Sequence, residues 1–191
     1  MAMVRLFREG PGPYALALAM TGVRLGERQL LVGDDGALFA ELAGKVGLTG
    51  NTCAVAVSEE VAVRLRAAAA RAGVLMDVGV APLPVLPVAA GSFDLALIDA
   101  GPTLLAALDA SGRLELARSV FGALRRGARA LVAERQVRRV FGLVRTQPRG
   151  LDAFRAEGGA IALLESAGFH PVRLLGEREG QRFTEGLKTG A

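Results

Sequence analysis

An α/β protein, with a mostly parallel sheet covered by helices on both faces, is predicted by three features of the sequence. Short β-like apolar runs alternate with helix-like stretches from Gln29 onward, the pattern of successive strand and helix units. Glycines and helix-capping residues fall at the joints between those runs. The 191 residues, 51% apolar and 22% charged, suffice for one domain with its own core and exclude a disordered, collagenous or coiled-coil chain. The expectation is a single domain over 1–191, with a packing helix within 1–28 and an α/β core over 29–191.

The first strand spans Gln29 to Gly33, followed by the turn Asp34-Asp35-Gly36 and a helix from Ala37 to Lys45, where Leu38, Phe39 and Leu42 recur at helical spacing. The second strand, Thr52 to Val57, ends at Ser58, whose oxygen can cap an orphan amide. Glu59 and Glu60 follow in a first turn that favours acids. That helix runs to Ala72 and stops at Gly73. Val74 to Val80 reads as the third strand. The prolines at 82, 84 and 87 make 81–87 a loop, since proline cannot donate to a ladder. Phe93 to Ile98 is the fourth strand, with Asp99 at its carboxyl end. Leu114, Ala117, Phe121 and Leu124 share a helix face, and Gly127 is expected to end that helix before a strand over Ala130 to Ala133. Ile161, Leu164 and Ala167 mark the last helix, with Gly168 as its cap. Val172 to Leu175 and Arg182 to Leu187, separated by Glu177 to Gly180, read as a closing hairpin.

Composition also excludes several functions. The lone Cys53 closes no intrachain disulfide, and with a single histidine, His170, the chain lacks a Cys/His set for zinc, so no metal is expected. No run reaches the ~18 apolar residues of a membrane span. Arg5 and Arg8 precede the apolar run Tyr14 to Met20, but Glu9 and Pro11-Gly12-Pro13 intervene, so a cytoplasmic protein is the simpler expectation over a secreted one. All basic residues except Lys45 and Lys188 are arginines, and ten of them lie between Arg113 and Arg149 against only Glu115 and Glu134. Within that segment Arg135, Arg138 and Arg139 are candidate substrate or anion contacts. The stretch 135–149 could equally follow an anionic membrane surface or a nucleic-acid backbone, or form a solvated face. One tyrosine and no tryptophan weaken the nucleic-acid reading, which usually needs stacking platforms.

In open α/β sheets ligands bind beyond the carboxyl ends of the strands, where strand order reverses. That rule selects the turn 33–37, Ser58 to Glu60, the loop 81–90 and Asp99 to Pro102. Here the chain resembles the class I S-adenosylmethionine-dependent methyltransferases, in particular their UbiE-like group. Leu86-Pro87-Val88-Ala89-Ala90-Gly91-Ser92-Phe93-Asp94-Leu95 is similar to the family's L-P-F-x-x-G-S-F-D-L segment. Leu30-Leu31-Val32-Gly33, Val57-Ser58-Glu59-Glu60 and Leu163-Leu164-Glu165-Ser166-Ala167-Gly168-Phe169 resemble further family segments in the same order. The resemblance, over about 14–188, implies a three-layer Rossmann-like fold with seven strands in the order 3-2-1-4-5-7-6 and strand 7 antiparallel. It also implies S-adenosylmethionine as cofactor and a small or lipid-like acceptor. Gly33, Asp34, Asp35, Gly36, Ser58, Glu59 and Leu83 are then the candidate cofactor contacts, and Asp99 the candidate catalytic residue facing the acceptor.

The chain departs from the family pattern at the cofactor. Leu31 stands where the family has an acid, Asp35 and Ala37 where it has glycines, and Ala56 where an acid chelates the ribose. No acid in Ala81 to Pro84 is available for the adenine amine. The motif is degenerate, so a second reading stands beside the methyltransferase: a catalytically inactive member serving as a binding or homo-oligomerisation module. Asp34 and Asp35 serve either the cofactor's ammonium or simply the turn and the helix start. Asp99 is an acceptor-facing base or a turn cap. His170 reads as a surface residue and Cys53 as a small core residue.

Overall fold

The computed structural model describes residues 14–100, 104–135, 149–178 and 180–190. A helix α1 (Ala15–Thr21) precedes the alternating units β1 (Arg28–Val32), α2 (Gly36–Val46), β2 (Asn51–Ala56), α3 (Glu59–Ala72), β3 (Asp77–Val80) and β4 (Phe93–Ala100). They are followed by α4 (Ala110–Ala123), β5 (Leu124–Arg135), α5 (Arg149–Ala156), α6 (Gly159–Ser166), β6 (Val172–Arg178) and β7 (Gln181–Leu187). The seven strands form one sheet in the order β3-β2-β1-β4-β5-β7-β6. β3 through β5 are parallel, and β7 runs antiparallel to both β5 and β6. This is the predicted architecture, hairpin included.

The central strands are apolar nearly without interruption because both faces are covered, as parallel sheets require. Leu30, Val32, Ile98 and Val132 face one layer, where Leu116 and Val120 of α4, Phe154 of α5 and Leu164 of α6 pack. Leu31, Leu97, Leu131 and Phe183 face the other, against Phe39 and Leu42 of α2 and Leu65 of α3. Leu31, the position at which the resembled family carries an acid, is fully buried in this second layer.

Several boundaries differ from the sequence expectation. Gly33 lies just beyond β1, and Gly36, expected in the turn, is the first residue of α2. β3 is only Asp77–Val80, because Val74 is drawn back to the carbonyl of Ala69 in the left-handed close of α3 at Gly73. β4 continues to Ala100, so Asp99 sits inside the strand, opposite Ala133. Gly127 does not end α4. The chain passes directly into β5 at Leu124, and Gly127 adopts φ +77° within that strand, where the β4–β5 register shifts between Phe93 and Leu95. A left-handed glycine marks a bulge as readily as a helix stop. The end of α4 is closed instead by Lys188, whose Nζ donates to the carbonyls of Phe121 and Leu124 at 2.7 and 2.6 Å. β5 is accordingly twelve residues long rather than four, and it carries Arg135 to the crevice. Among the described residues no helix is long and apolar enough to cross a membrane.

Candidate functional site

β1, β2, β3 and β4 end side by side at the reversal of strand order, and the loops beyond them enclose a cavity of about 370 Å³, a size suited to a small organic ligand. Gly33 and Asp34 after β1, Val57 and Glu60 around the start of α3, and Leu83 after β3 line it, with Leu108 closing the side toward α4. Ser58 sits beneath, its hydroxyl accepting from the Val61 amide at 3.3 Å and fixing the start of α3. This cap holds Glu60 at the cavity, where it pairs with Arg64 one turn on at 2.8 Å. Glu59 turns away. Its carboxylate meets Arg66 at 2.6 Å, and Arg66 also donates to the Val78 carbonyl of the edge strand.

Gly33 also abuts the second feature of the site. A side chain there would place its Cβ 2.7 Å from the Cβ of Asp99, so only glycine lets β1 end against β4 in this way. Asp99 is 1% exposed and accepts from Nη2 of Arg135 at 3.1 Å, while Nη1 of Arg135 meets Asp35 at 2.6 Å. Asp35 is at the same time the N-cap of α2. Its Oδ1 accepts from the Leu38 amide at 2.9 Å and from the hydroxyl of Tyr14, just ahead of α1, at 3.2 Å. The end of β5, the start of α2, the interior of β4 and the start of α1 are thus joined through one guanidinium.

Burial raises the Asp99 carboxyl to about 6, partly opposed by Arg135 and reinforced by Asp35 and Asp34. Burial alone would lower the Arg135 guanidinium, but Asp99 and Asp35 beside it hold it above its ordinary range. The Tyr14 hydroxyl is raised by burial and by the Asp35 carboxylate.

Of the residues singled out in the sequence, Gly33, Asp34 and Leu83 line the cavity. Asp35, Asp99 and Arg135 form the charged cluster beside it. Ser58 positions the start of α3, and Glu59 faces outward. Gly36 packs against α3, where a Cβ would come 2.9 Å from that of Ala68. Arg138 and Arg139 lie outside the described residues. Glu60 falls in the strand-end stretch Ser58 to Glu60 that the sequence selects, although Glu59 rather than Glu60 is the expected cofactor contact, and Val57, Arg64 and Tyr14 are site residues that the sequence reading does not include. The Glu60–Arg64 spacing of one helical turn was a visible signal, whereas nothing local marks Tyr14 as a partner of Asp35.

A wider groove of about 640 Å³ runs between α2 and α3 past Ala40, Gly44, Ala68 and Ala72. It lies along the helices, away from the strand ends, and contains none of the clustered acids. Among the described residues no group of His, Cys, Asp and Glu could hold a metal ion.

No protein-family model matches the sequence, and no curated protein does. Solved structures match it over nearly its whole length. A SAM-dependent methyltransferase from Aquifex aeolicus superposes with a TM-score of 0.72 at 17% identity, covering 94% of this chain and 95% of that one. The fold is that of the S-adenosylmethionine-dependent methyltransferases. A putative O-methyltransferase from Nostoc punctiforme gives a TM-score of 0.68 at 16% identity, over 92% of this chain and 56% of that one. The [4+2]-cyclase SpnF gives 0.62 at 19% identity, over 92% and 79%. At these identities the likeness establishes the methyltransferase fold, and the cyclase among the neighbours illustrates that the fold alone does not select a reaction.

Proposed function

We infer that the chain binds S-adenosylmethionine in the strand-end cavity and transfers its methyl group to a small or lipid-like acceptor reaching the carboxyl ends of β4 and β5. The observation that carries this reading is the cavity itself, which lies at the crevice where this class of sheet takes its ligand and is lined by Gly33, Asp34 and Leu83 together. Val57, Val61 and Leu83 offer apolar surface to an adenine. Glu60 and Asp34 offer carboxylates to the ribose hydroxyls and do the work that Ala56, fully buried at the end of β2, cannot. The cofactor, when bound, supplies an electrophilic methyl on a sulfonium. In this reading Asp99, 1% exposed at the carboxyl end of β4, is the carboxylate assigned to the acceptor's proton. The rest is proximity and orientation, which this chemistry mainly requires.

Titration calorimetry and thermal shift with S-adenosylhomocysteine test the reading. Saturable heat and a rise in Tm are expected, and neither signal at millimolar ligand overturns it. A second reading, a non-catalytic module on the same fold, is favoured by the mutual pairing of Asp35, Arg135 and Asp99, which satisfies these charges without any ligand. It predicts no binding in the same experiment.

A further inference from the structure

We propose that the amino-terminal end of the sheet is a docking face for an anionic membrane surface, with Leu25, Leu48 and Leu75 entering the lipid boundary and Arg24, Lys45 and Arg71 meeting headgroup phosphates. The face lies at the opposite end of the strands from the cavity, so the inference stands apart from the adenosyl reading and leaves the crevice open to solvent.

Four observations lead to it. First, the three most exposed large apolar side chains among the described residues are all leucines of this end: Leu48 is 86% exposed, Leu75 76% and Leu25 75%. They fall on the loops 22–27, 47–50 and 73–76, which lead into the neighbouring parallel strands β1, β2 and β3. Single exposed apolar residues are ordinary, whereas a group of them marks an interaction surface. Second, the loops are joined side by side. The Gly26 amide donates to the Val46 carbonyl at 2.9 Å, and a Cβ on Gly47 would come 2.6 Å from Cδ1 of Leu25. Asn51 and Asp77, the first residues of β2 and β3, are hydrogen-bonded at 3.2 Å. Third, helix closure does not account for the leucines. The residue after a closing glycine often folds back onto its helix. Leu48 follows Gly47 directly yet stays exposed, and after Gly73 it is Val74 that returns to the Ala69 carbonyl, leaving Leu75 outside. Fourth, the charge around the leucines is positive. Exposed Arg24 adjoins Leu25, and exposed Lys45 and Arg71 stand in the last turns of α2 and α3, where both line the groove between those helices. The acids of the same end are already engaged, Glu27 by Arg129, Asp94 by Arg125 and Asp77 by Asn51. Glu41 lies one turn of α2 further from the loops. At these exposures the leucines project from the surface instead of lining a recess, which suits insertion into a lipid boundary whose headgroups draw the flanking cations.

The test is flotation of the full chain with vesicles of phosphatidylcholine, alone or mixed with phosphatidylglycerol, at about 0.1 and about 1 M salt, where the Debye length falls from about 10 to about 3 Å. The wild type is expected to float with the mixed vesicles at low salt, to be released at high salt, and not to float with phosphatidylcholine alone. Lys45→Gln/Arg71→Gln should bind the mixed vesicles about thirtyfold more weakly. Leu25→Ser/Leu48→Ser/Leu75→Ser should lose about tenfold or more. Both variants should melt as the wild type does, because the altered side chains are exposed. The chain contains no tryptophan, so Leu48→Trp reports on this face alone. Its emission should move to shorter wavelength when mixed vesicles are added, while that of Val63→Trp, exposed in the first half of α3, should stay in place. Absence of wild-type flotation with the mixed vesicles overturns the proposal, whether the chain is then monomeric or self-associated. Equal flotation with phosphatidylcholine alone, undiminished flotation of both substituted variants, or an unmoved Leu48→Trp spectrum in floated protein overturns it as well.

Discussion

Around Gly33 the crevice is built in two ways. Toward β2 and β3 it is an open cavity with apolar walls, its charges confined to Asp34 and the Glu60–Arg64 pair. Toward β4 and β5 the space is taken by charge, with Asp99 buried under Arg135 and Arg135 tied to Asp35. The first half costs the fold little, since its apolar residues belong to the ends of strands and helices that the core already holds. The second places an ionised pair in a dry position, where desolvation opposes the attraction and removal of one partner is expensive. Ligand should therefore depend on both halves, while stability depends mainly on the second.

The largest effect is expected at Arg135. Arg135→Ala leaves Asp99 buried without its cation and should lower stability by about 3 kcal/mol, on the order of 10 °C in Tm, as read by thermal and urea denaturation. A loss below about 1 kcal/mol would mean that the cluster is not a structural tie. Next is the pH dependence. Because the Asp99 carboxyl in the folded chain lies at about 6, above its ordinary 3.8, the folded state holds that proton more tightly than the unfolded one. Its contribution is therefore most favourable below about pH 4, falls as pH rises to about 6 and is flat beyond. Asp94 shifts the opposite way, lowered by its bonds from the Arg28 amide and Arg125 against the effect of burial. The test is accordingly the difference between the wild type and Asp99→Asn, whose slope through that window should be negative.

A matched pair of helix caps sharpens the contrast further. Ser58→Ala removes only the cap of α3 and should cost about 1 kcal/mol. Asp35→Ala removes the cap of α2 together with a partner of Arg135 and Tyr14, and should cost about 2 kcal/mol. Equal costs in denaturant melts would show that Asp35 acts only as a cap. The smallest effect on stability belongs to the open half. Leu83→Ala should change it by less than about 1 kcal/mol yet weaken S-adenosylhomocysteine by about tenfold, since Leu83 is a wall of the cavity and only partly buried against the core.

The same two halves differ in how much of them the sequence discloses. The α/β class follows from the alternation of runs, the strand order from the resemblance carried by 86–95, and the place of the cavity from the rule that ligands meet strand ends, and all three agree with the structure. Gly33, Leu83 and Ser58 are legible because they stand at strand ends and helix starts, which local patterns mark. The exchange of roles between Glu59 and Glu60 is not legible, since adjacent helical positions differ by about a third of a turn and only the seating of α3 decides which one faces the cavity. Gly127 misleads for a related reason: a left-handed glycine carries the same local signature at a bulge as at a helix end. The charged cluster is the least legible, because Tyr14, Asp35, Asp99 and Arg135 meet through tertiary contacts across more than a hundred residues of chain. The acids missing from their family positions at 31 and 56 were visible. That Asp35 and Asp99 would be engaged by a single arginine was not.

The strand-end cavity is proposed as an adenosyl site despite its altered motif. It is tested most directly by titrating the wild-type chain with S-adenosylhomocysteine in parallel with Val61→Asp. Val61 lines the cavity at the rim of the core and is 7% exposed, and an acid there would face the nucleoside. Saturable binding is expected of the wild type, with its loss in a variant that still melts cooperatively. No heat from the wild type at millimolar ligand, or undiminished binding by folded Val61→Asp, would contradict it.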